Sequence, residues 1–246
     1  MLNPVVIIPA RLHAYRLPGK PLADIHGEPM IVHVWRRAVA AAVGPVVVAC
    51  AEQMVADAVT KAGGNAILTR PDHPTGADRV FEALEKFDPE GNFDAVINLH
   101  GDLPAIAPAA IRAVVAPLQD DAVDIATAMI ELTDEANRHN PNVVKVVVAL
   151  AEKRRTGRAL YFSRSTVPAG DGPLYHHIAV FAYRRSSLAR FVALPQGVLE
   201  KRERLEVLRA LEHGMRVDAT LVDTVPLGVD TPADLERARQ ILARLH

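Results

Sequence analysis

Three cations, Arg11, Arg16 and Lys20, follow closely on the apolar run VVII at residues 5–8. A β-branched run of this kind forms a buried strand. Pro9 is expected to end it, because proline cannot donate to a sheet ladder. Gly19, after Pro18, permits a sharp turn in the loop that follows. A cationic loop at the carboxyl end of the first strand is where an open α/β sheet places a phosphate-bearing ligand. A basic surface loop is the plainer alternative. The stretch has neither the glycine-spaced GK[ST] of a Walker loop nor a GxGxxG, which disfavours a dinucleotide dehydrogenase.

Carboxylates supply the second half of this chemistry. Asp102, in NLHGDLP, follows an apolar strand and a glycine that lets backbone approach a ligand, a good position for a Mg²⁺ ligand. A simple Gly-Asp turn would use the same residues. Asp230, in GVDTPADLERA, reads as the N-cap of a helix, with Asp234 adding charge to the first turn. Thr75 can cap the helix that begins in TGADR, and Arg79 can bond phosphate or ribose oxygens. His176 and His177 are adjacent on a strand and point to opposite faces, so they cannot chelate one ion together. Glu203 and Glu206 are expected one turn apart on a helix, with Glu203 solvated.

The elements that must position these groups alternate. Strands are expected at 5–8, 45–50, 66–69, 95–99 and 125–132, with helices at 29–43, 52–62, 78–86 and 108–118 between them. This βα order argues for a mostly parallel, doubly wound sheet covered on both faces. The rhythm breaks after Val143. Strands at 143–150, 158–162 and 178–183 precede helices at 186–194 and 199–213, a strand at 217–222 and a closing helix at 232–245. The whole chain reads as one domain, with residues about 150–200 as an excursion suited to pairing with a second copy.

Composition bounds the rest. Half the residues are hydrophobic and the formal net charge is −1, so no global field draws the chain to nucleic acid or anionic lipid. A single cysteine, Cys50, excludes an internal disulfide and multi-cysteine metal sites, and reads as a core residue. No signal peptide or long apolar span is present, so a cytoplasmic location is the default expectation.

The chain resembles the 3-deoxy-manno-octulosonate (Kdo) cytidylyltransferases. Their opening runs from a hydrophobic strand through PAR to LPGK and a proline, matched here by Pro9, Ala10, Arg11, Leu17, Pro18, Gly19, Lys20 and Pro21. Thr75 to Arg79, NPNVVKV at 140–146, ALYFSR at 159–164 and GVDTPADLE at 228–236 also match, in order. The resemblance implies a nucleotide-diphospho-sugar transferase-like fold, a homodimer, and CMP transfer from CTP to the anomeric hydroxyl of Kdo for lipopolysaccharide or capsule assembly. It implies Pro9, Ala10, Arg11, Arg16, Lys20, Thr75 and Arg79 at the nucleotide and Mg²⁺ on Asp102 with Asp230. It places His100, Arg164, His177, Phe181, Glu206 and Val207 toward the sugar acid. The family usually has QGD where this chain has His100-Gly101-Asp102. It has a glycine and a tyrosine at the positions of Ala179 and Phe181, and LEQLR where Val207 interrupts. Three of these changes remove or exchange a polar group expected near the sugar, so a modified acid such as an amino-substituted Kdo is the alternative substrate, and a non-catalytic nucleotide-binding paralogue the alternative role.

Overall fold

The computed structural model describes residues 2–12 and 16–244 and divides into two compact units, Met1–Arg112 with Pro226–His246, and Ala113–Val225. The excursion expected at 150–200 therefore lies inside a larger second unit.

The first unit opens with β1 (Pro4–Ala10), a two-strand hairpin of β2 (Asp24–Ile25) and β3 (Glu28–Pro29), and α1 (Met30–Ala41). Then come β4 (Val46–Cys50), α2 (Gln53–Lys61), β5 (Asn65–Leu68), α3 (Gly76–Phe87), β6 (Ala95–Leu99) and α4 (Pro108–Ala113). The strands lie in the order β5-β4-β1-β6, all parallel. Strands β1, β4 and β6 are apolar and almost wholly buried, the pattern of a parallel sheet covered on both faces. Cys50 lies in this core, and burial pushes its thiol up to about 11.

Pro9 does not end β1, as the sequence suggests; it pairs with Ala49 inside the strand. The Val6 N–H points toward the β4 side, donating to Pro45 O at 2.9 Å. By alternation the missing donor of Pro9 faces β6, whose ladder has already stopped at Ile7 opposite Asn98. The proline removes no bond there.

The second unit contains β7 (Ile125–Glu131), a single turn α5 (Glu135–Arg138), β8 (Lys145–Ala149), β9 (Thr156–Ser163) and β10 (Tyr175–Arg184). It continues with α6 (Arg185–Ala193), α7 (Val198–Glu203), α8 (Val207–Glu212) and β11 (Val217–Leu221). Only β11 and β7 are parallel here; β7–β10, β9–β11, β8–β9 and β8–β10 are antiparallel. The parallel expectation thus holds in the first unit and gives way to a mixed sheet in the second. Two expected helices are broken. The one at 108–118 becomes α4 and a 3₁₀ turn, Ala116–Gln119, with Pro117 in its first turn. The one at 199–213 splits at Arg204, which takes φ 56° and ψ 45°.

The chain closes with α9 (Pro232–Ala243), back in the first unit. Leu235, Ala238 and Leu242 of this helix cluster with Ile25, Met30 and Val229, and Leu17 and Leu227 pack against them. One apolar cluster thus anchors both the cationic loop and the turn that carries Asp230.

Candidate active site

A cleft of about 450 Å³ opens at the carboxyl ends of β1 and β6. Pro9, Ala10, Arg11, Arg16 and Lys20 line one part of it, His100, Gly101, Asp102 and Asp230 another, and His73, Thr75, Gly76 and Arg79 a third. Every nucleotide and metal residue expected from the sequence is therefore brought to one place, along with His100.

Local chemistry explains how each arrives. Gly19 takes φ 70° and starts a 3₁₀ turn, Lys20–Leu22, that presents Lys20. Gly101 earns its place by close approach: a Cβ there would meet Pro9 O at 2.9 Å and Ile31 Cδ1 at 3.3 Å. The glycine expected to admit ligand thus admits the end of β1. The backbone N–H of Val229 donates to Asp102 O at 2.9 Å, which pins the Asp230 turn beside Asp102. Asp230 is not the cap of α9. Thr231 is, accepting from Asp234 N at 3.2 Å, while Asp234 Oδ2 accepts from Thr231 N at 3.0 Å and Thr231 Oγ1 at 2.7 Å. That reciprocal box leaves the Asp230 carboxylate to the cleft.

At the centre Lys20 Nζ donates to Asp102 Oδ2 at 2.8 Å and to Asp230 Oδ1 at 3.1 Å. Arg16 holds the other oxygen of Asp230 at 2.9 Å. Burial lowers the pKa of Lys20, but the charges and hydrogen bonds of Asp102 and Asp230 outweigh it and set it above the ordinary lysine value. The ammonium is therefore fixed as a cation. Two carboxylates converging on one cation are also a hard-oxygen donor set suited to Mg²⁺, which is held by one or two carboxylates with the remainder from phosphate and water.

Arg79 is 3% exposed and donates to Thr69 Oγ1 at 2.5 Å, Arg70 O at 3.1 Å and Pro71 O at 3.4 Å. It shapes the 69–71 loop from inside, and burial, with the charge of Arg11 adding to it, lowers its pKa. Thr75 caps α3 as expected, accepting from Asp78 N at 3.3 Å. His73 was not singled out from the sequence. Its Nε2 bonds Glu82, whose carboxyl would rise with burial but is drawn down to about 2 by Lys86, His73 and the Arg70 N–H. Its position next to the TGADR segment was the available signal.

Apart from His100, the residues expected at the sugar acid lie in the second unit. Arg164 donates Nε to Glu203 O at 2.8 Å and an Nη to Pro141 O at 3.1 Å, tying together the ends of β9 and α7 and the loop before β8. Against the expectation that it is solvated, Glu203 is half-buried and hydrogen-bonded, and it does not share a helix with Glu206. It ends α7 and accepts from Ser163 Oγ at 2.8 Å and Arg164 N at 2.9 Å. Burial raises its pKa, yet the hydrogen bonds from Arg164, Ser163 and Tyr161 bring it below the usual carboxylate range. Glu206 flanks the start of α8, whose first residue is the buried Val207. His177 bonds Thr127 Oγ1 at 2.9 Å and sits between the rings of Phe162 and Phe181, centroids 4.9 and 5.2 Å away. Thr127 Oγ1 also reaches Val180 O at 2.9 Å and Ile178 O at 3.3 Å.

A parallel sheet with cations and paired carboxylates at its carboxyl edge is the arrangement of a nucleotide-handling α/β protein. Comparison with known proteins gives the particular kind. A family model described as cytidylyltransferase matches residues 5–217. A 3-deoxy-manno-octulosonate cytidylyltransferase of Paramagnetospirillum magneticum is 67% identical over 241 residues, covering 98% of each chain. One of Rhodospirillum centenum is 62% identical, covering 98% of this chain and 93% of that one. The solved structure of a CMP:2-keto-3-deoxy-manno-octonic acid synthetase complexed with CTP superposes with a TM-score of 0.90 at 39% identity, over 99% of this chain and 100% of that one. The chain belongs to the cytidylyltransferase family.

Proposed function

We propose that this chain transfers the cytidylyl group of CTP to the anomeric 2-hydroxyl of Kdo, releasing pyrophosphate. The observation that carries the reading is the convergence of Lys20, Asp102 and Asp230 at the head of the cleft, in a chain two-thirds identical to a relative named for that reaction. The sugar oxygen attacks the α-phosphorus in line. A new P–O bond forms, the hydroxyl proton passes to water, and the bond from the α-phosphorus to the oxygen bridging it to the β-phosphate breaks. Positioning and charge neutralisation supply most of the rate. Arg11 and Lys20 hold the triphosphate, and Arg16 and Arg79 support that end of the cleft. Pro9 and Ala10 offer backbone to the base, with Thr75 beside them. Asp102 and Asp230 are the residues that would hold Mg²⁺, which when bound neutralises triphosphate charge and steadies the leaving group.

Recognition of the sugar acid is assigned to His100, Arg164, His177, Phe181, Glu206 and Val207. Through its carbonyl bonds Arg164 fixes the loop around Asn140 and Pro141. The reading includes a homodimer in the cytoplasm. Leu160 and Val198, 54% and 77% exposed, are apolar surface that such an assembly would cover. Among the described residues no helix is long and apolar enough to cross a membrane. A non-catalytic paralogue would have no use for a cation clamped between two carboxylates.

Pyrophosphate release tests the reading. With Kdo as acceptor, CTP should be preferred over ATP and GTP by at least about 10²-fold, the discrimination that unpaired polar groups supply. Equal turnover with ATP would refute it.

A further inference from the structure

The Lys20 ammonium stands on one oxygen of each carboxylate, 2.8 Å from Asp102 Oδ2 and 3.1 Å from Asp230 Oδ1, with Arg16 on the second oxygen of Asp230. A divalent cation held by this carboxylate pair would compete with the ammonium for these oxygens. The Val229–Asp102 backbone bond holds the two turns, and so the two carboxylates, close together. Nor is there a fuller protein cage nearby: among the described residues no group of three or more His, Cys, Asp or Glu side chains is placed to hold a metal. The protein thus offers a metal two carboxylates, both already neutralised from within.

We propose that Lys20 is the resident counter-cation of the Asp102–Asp230 pair, so that ammonium and divalent metal are alternatives on those oxygens and the incoming triphosphate admits the metal by drawing Lys20 away. The inference rests on the reading of the cleft as a metal–triphosphate site. Three considerations support it. Two unit negative charges held together need a cation at all times, and Lys20 meets that need before substrate arrives. A lysine suits the task, since its charge rides on a flexible stem with three rotatable donors and can change partners, while its backbone stays fixed by the Gly19 turn. A divalent ion added without moving Lys20 would sit beside a positive charge, whereas a triphosphate gives that charge a new anionic partner. Metal and nucleotide then assist one another, and linkage makes the assistance reciprocal. Lys20 therefore has two roles in sequence: it guards the carboxylates in the free protein and clamps phosphate in the complex.

Mn²⁺ alone is the probe. Free Mn²⁺ is followed by electron paramagnetic resonance while the full chain is titrated without nucleotide. Lys20→Met and Lys20→Gln should each bind Mn²⁺ at least about tenfold tighter than wild type, and Asp102→Asn added to either should abolish the gain. An affinity equal to or weaker than wild type in the Lys20 variants overturns the proposal. If neither variant folds, a crystal structure of the wild-type protein with Mg²⁺ and CTP decides. Lys20 should have left the carboxylates, and Lys20 still bridging Asp102 and Asp230 there overturns the proposal equally. The underlying reading fails separately: wild-type protein that takes up no Mn²⁺ on adding CTP, beyond what free CTP binds, has no metal–triphosphate site whatever Lys20 does.

Discussion

Asp230→Asn separates a site residue from a helix cap, because the two roles predict opposite outcomes. The Asp230 side chain is 48% exposed and its partners are Lys20 and Arg16. Exposed ion pairs contribute roughly 0–1 kcal/mol, and each kcal/mol shifts the melting temperature of a chain this size by about 2–4 °C. Loss of this one charge should therefore lower the melting temperature by less than about 4 °C. It should cost about 10²-fold or more in kcat, the scale of comparable electrostatic losses at a reacting phosphate. Thr231→Ala is the matched control. It removes the hydroxyl that accepts from Asp234 N and donates to Asp234 Oδ2. A lost cap of this kind costs about 1 kcal/mol, so the melt should fall by about 2–4 °C with kcat kept within a few-fold. Thermal melts by circular dichroism and coupled pyrophosphate release with CTP and Kdo give both numbers on the same preparations. An Asp230→Asn protein that melts early but turns over normally would show that the carboxylate serves α9 and not the cleft, and would remove the paired-carboxylate argument altogether.

Two further tests address the second unit. Burial, with the charge of Lys145 adding to it, holds His176 down to about 4, against about 6.5 in the unfolded chain. The fold keeps it neutral, so its contribution is complete above pH 6.5 and drains as pH falls from about 6.5 to about 4. Urea titrations should lose roughly 1 kcal/mol between pH 7 and pH 5 on this account, after discounting for partial exposure. His176→Gln should remove that part of the slope, and an unchanged slope would assign the acid sensitivity elsewhere. Phe181 and Val207 are both buried, and Phe181 packs on His177 and Tyr183 with centroids 5.2 and 6.1 Å away. Phe181→Tyr with Val207→Gln should lower the KM for Kdo by up to about tenfold for each recovered bond of ~1.4 kcal/mol. A flat KM for Kdo together with impaired turnover of an amino-substituted Kdo would make the modified acid the substrate.

What could be read without coordinates was what depends on neighbours in sequence. The runs 5–8, 45–50 and 95–99 gave strands because each is a mostly apolar stretch, and the first unit's parallel order followed from their alternation with helices. Thr75 capped its helix because the cap and the N–H it accepts from are three residues apart. Contacts across the chain were another matter. Lys20 meets Asp102 and Asp230 over separations of 82 and 210 residues, and charge energy depends on distance in space. Nothing local to Lys20 says that it will rest on the carboxylates rather than reach for phosphate. Arg164 was legible as an arginine with work to do, but its acceptors are carbonyl oxygens at residues 141 and 203, which carry no side-chain signature. Glu203 was misjudged for a related reason: with α7 and α8 taken as one helix it faces solvent, and the left-handed Arg204 that breaks them is no glycine to announce the break. Asp230 is the instructive exception, since its ambiguity was local and so was the remedy. A threonine followed three residues later by a carboxylate is a capping-box spacing, and Thr231 with Asp234 has it. A helix start needs only one such box. Once Thr231 holds it, the carboxylate one residue earlier is released from the helix, and its free charge calls for a cation.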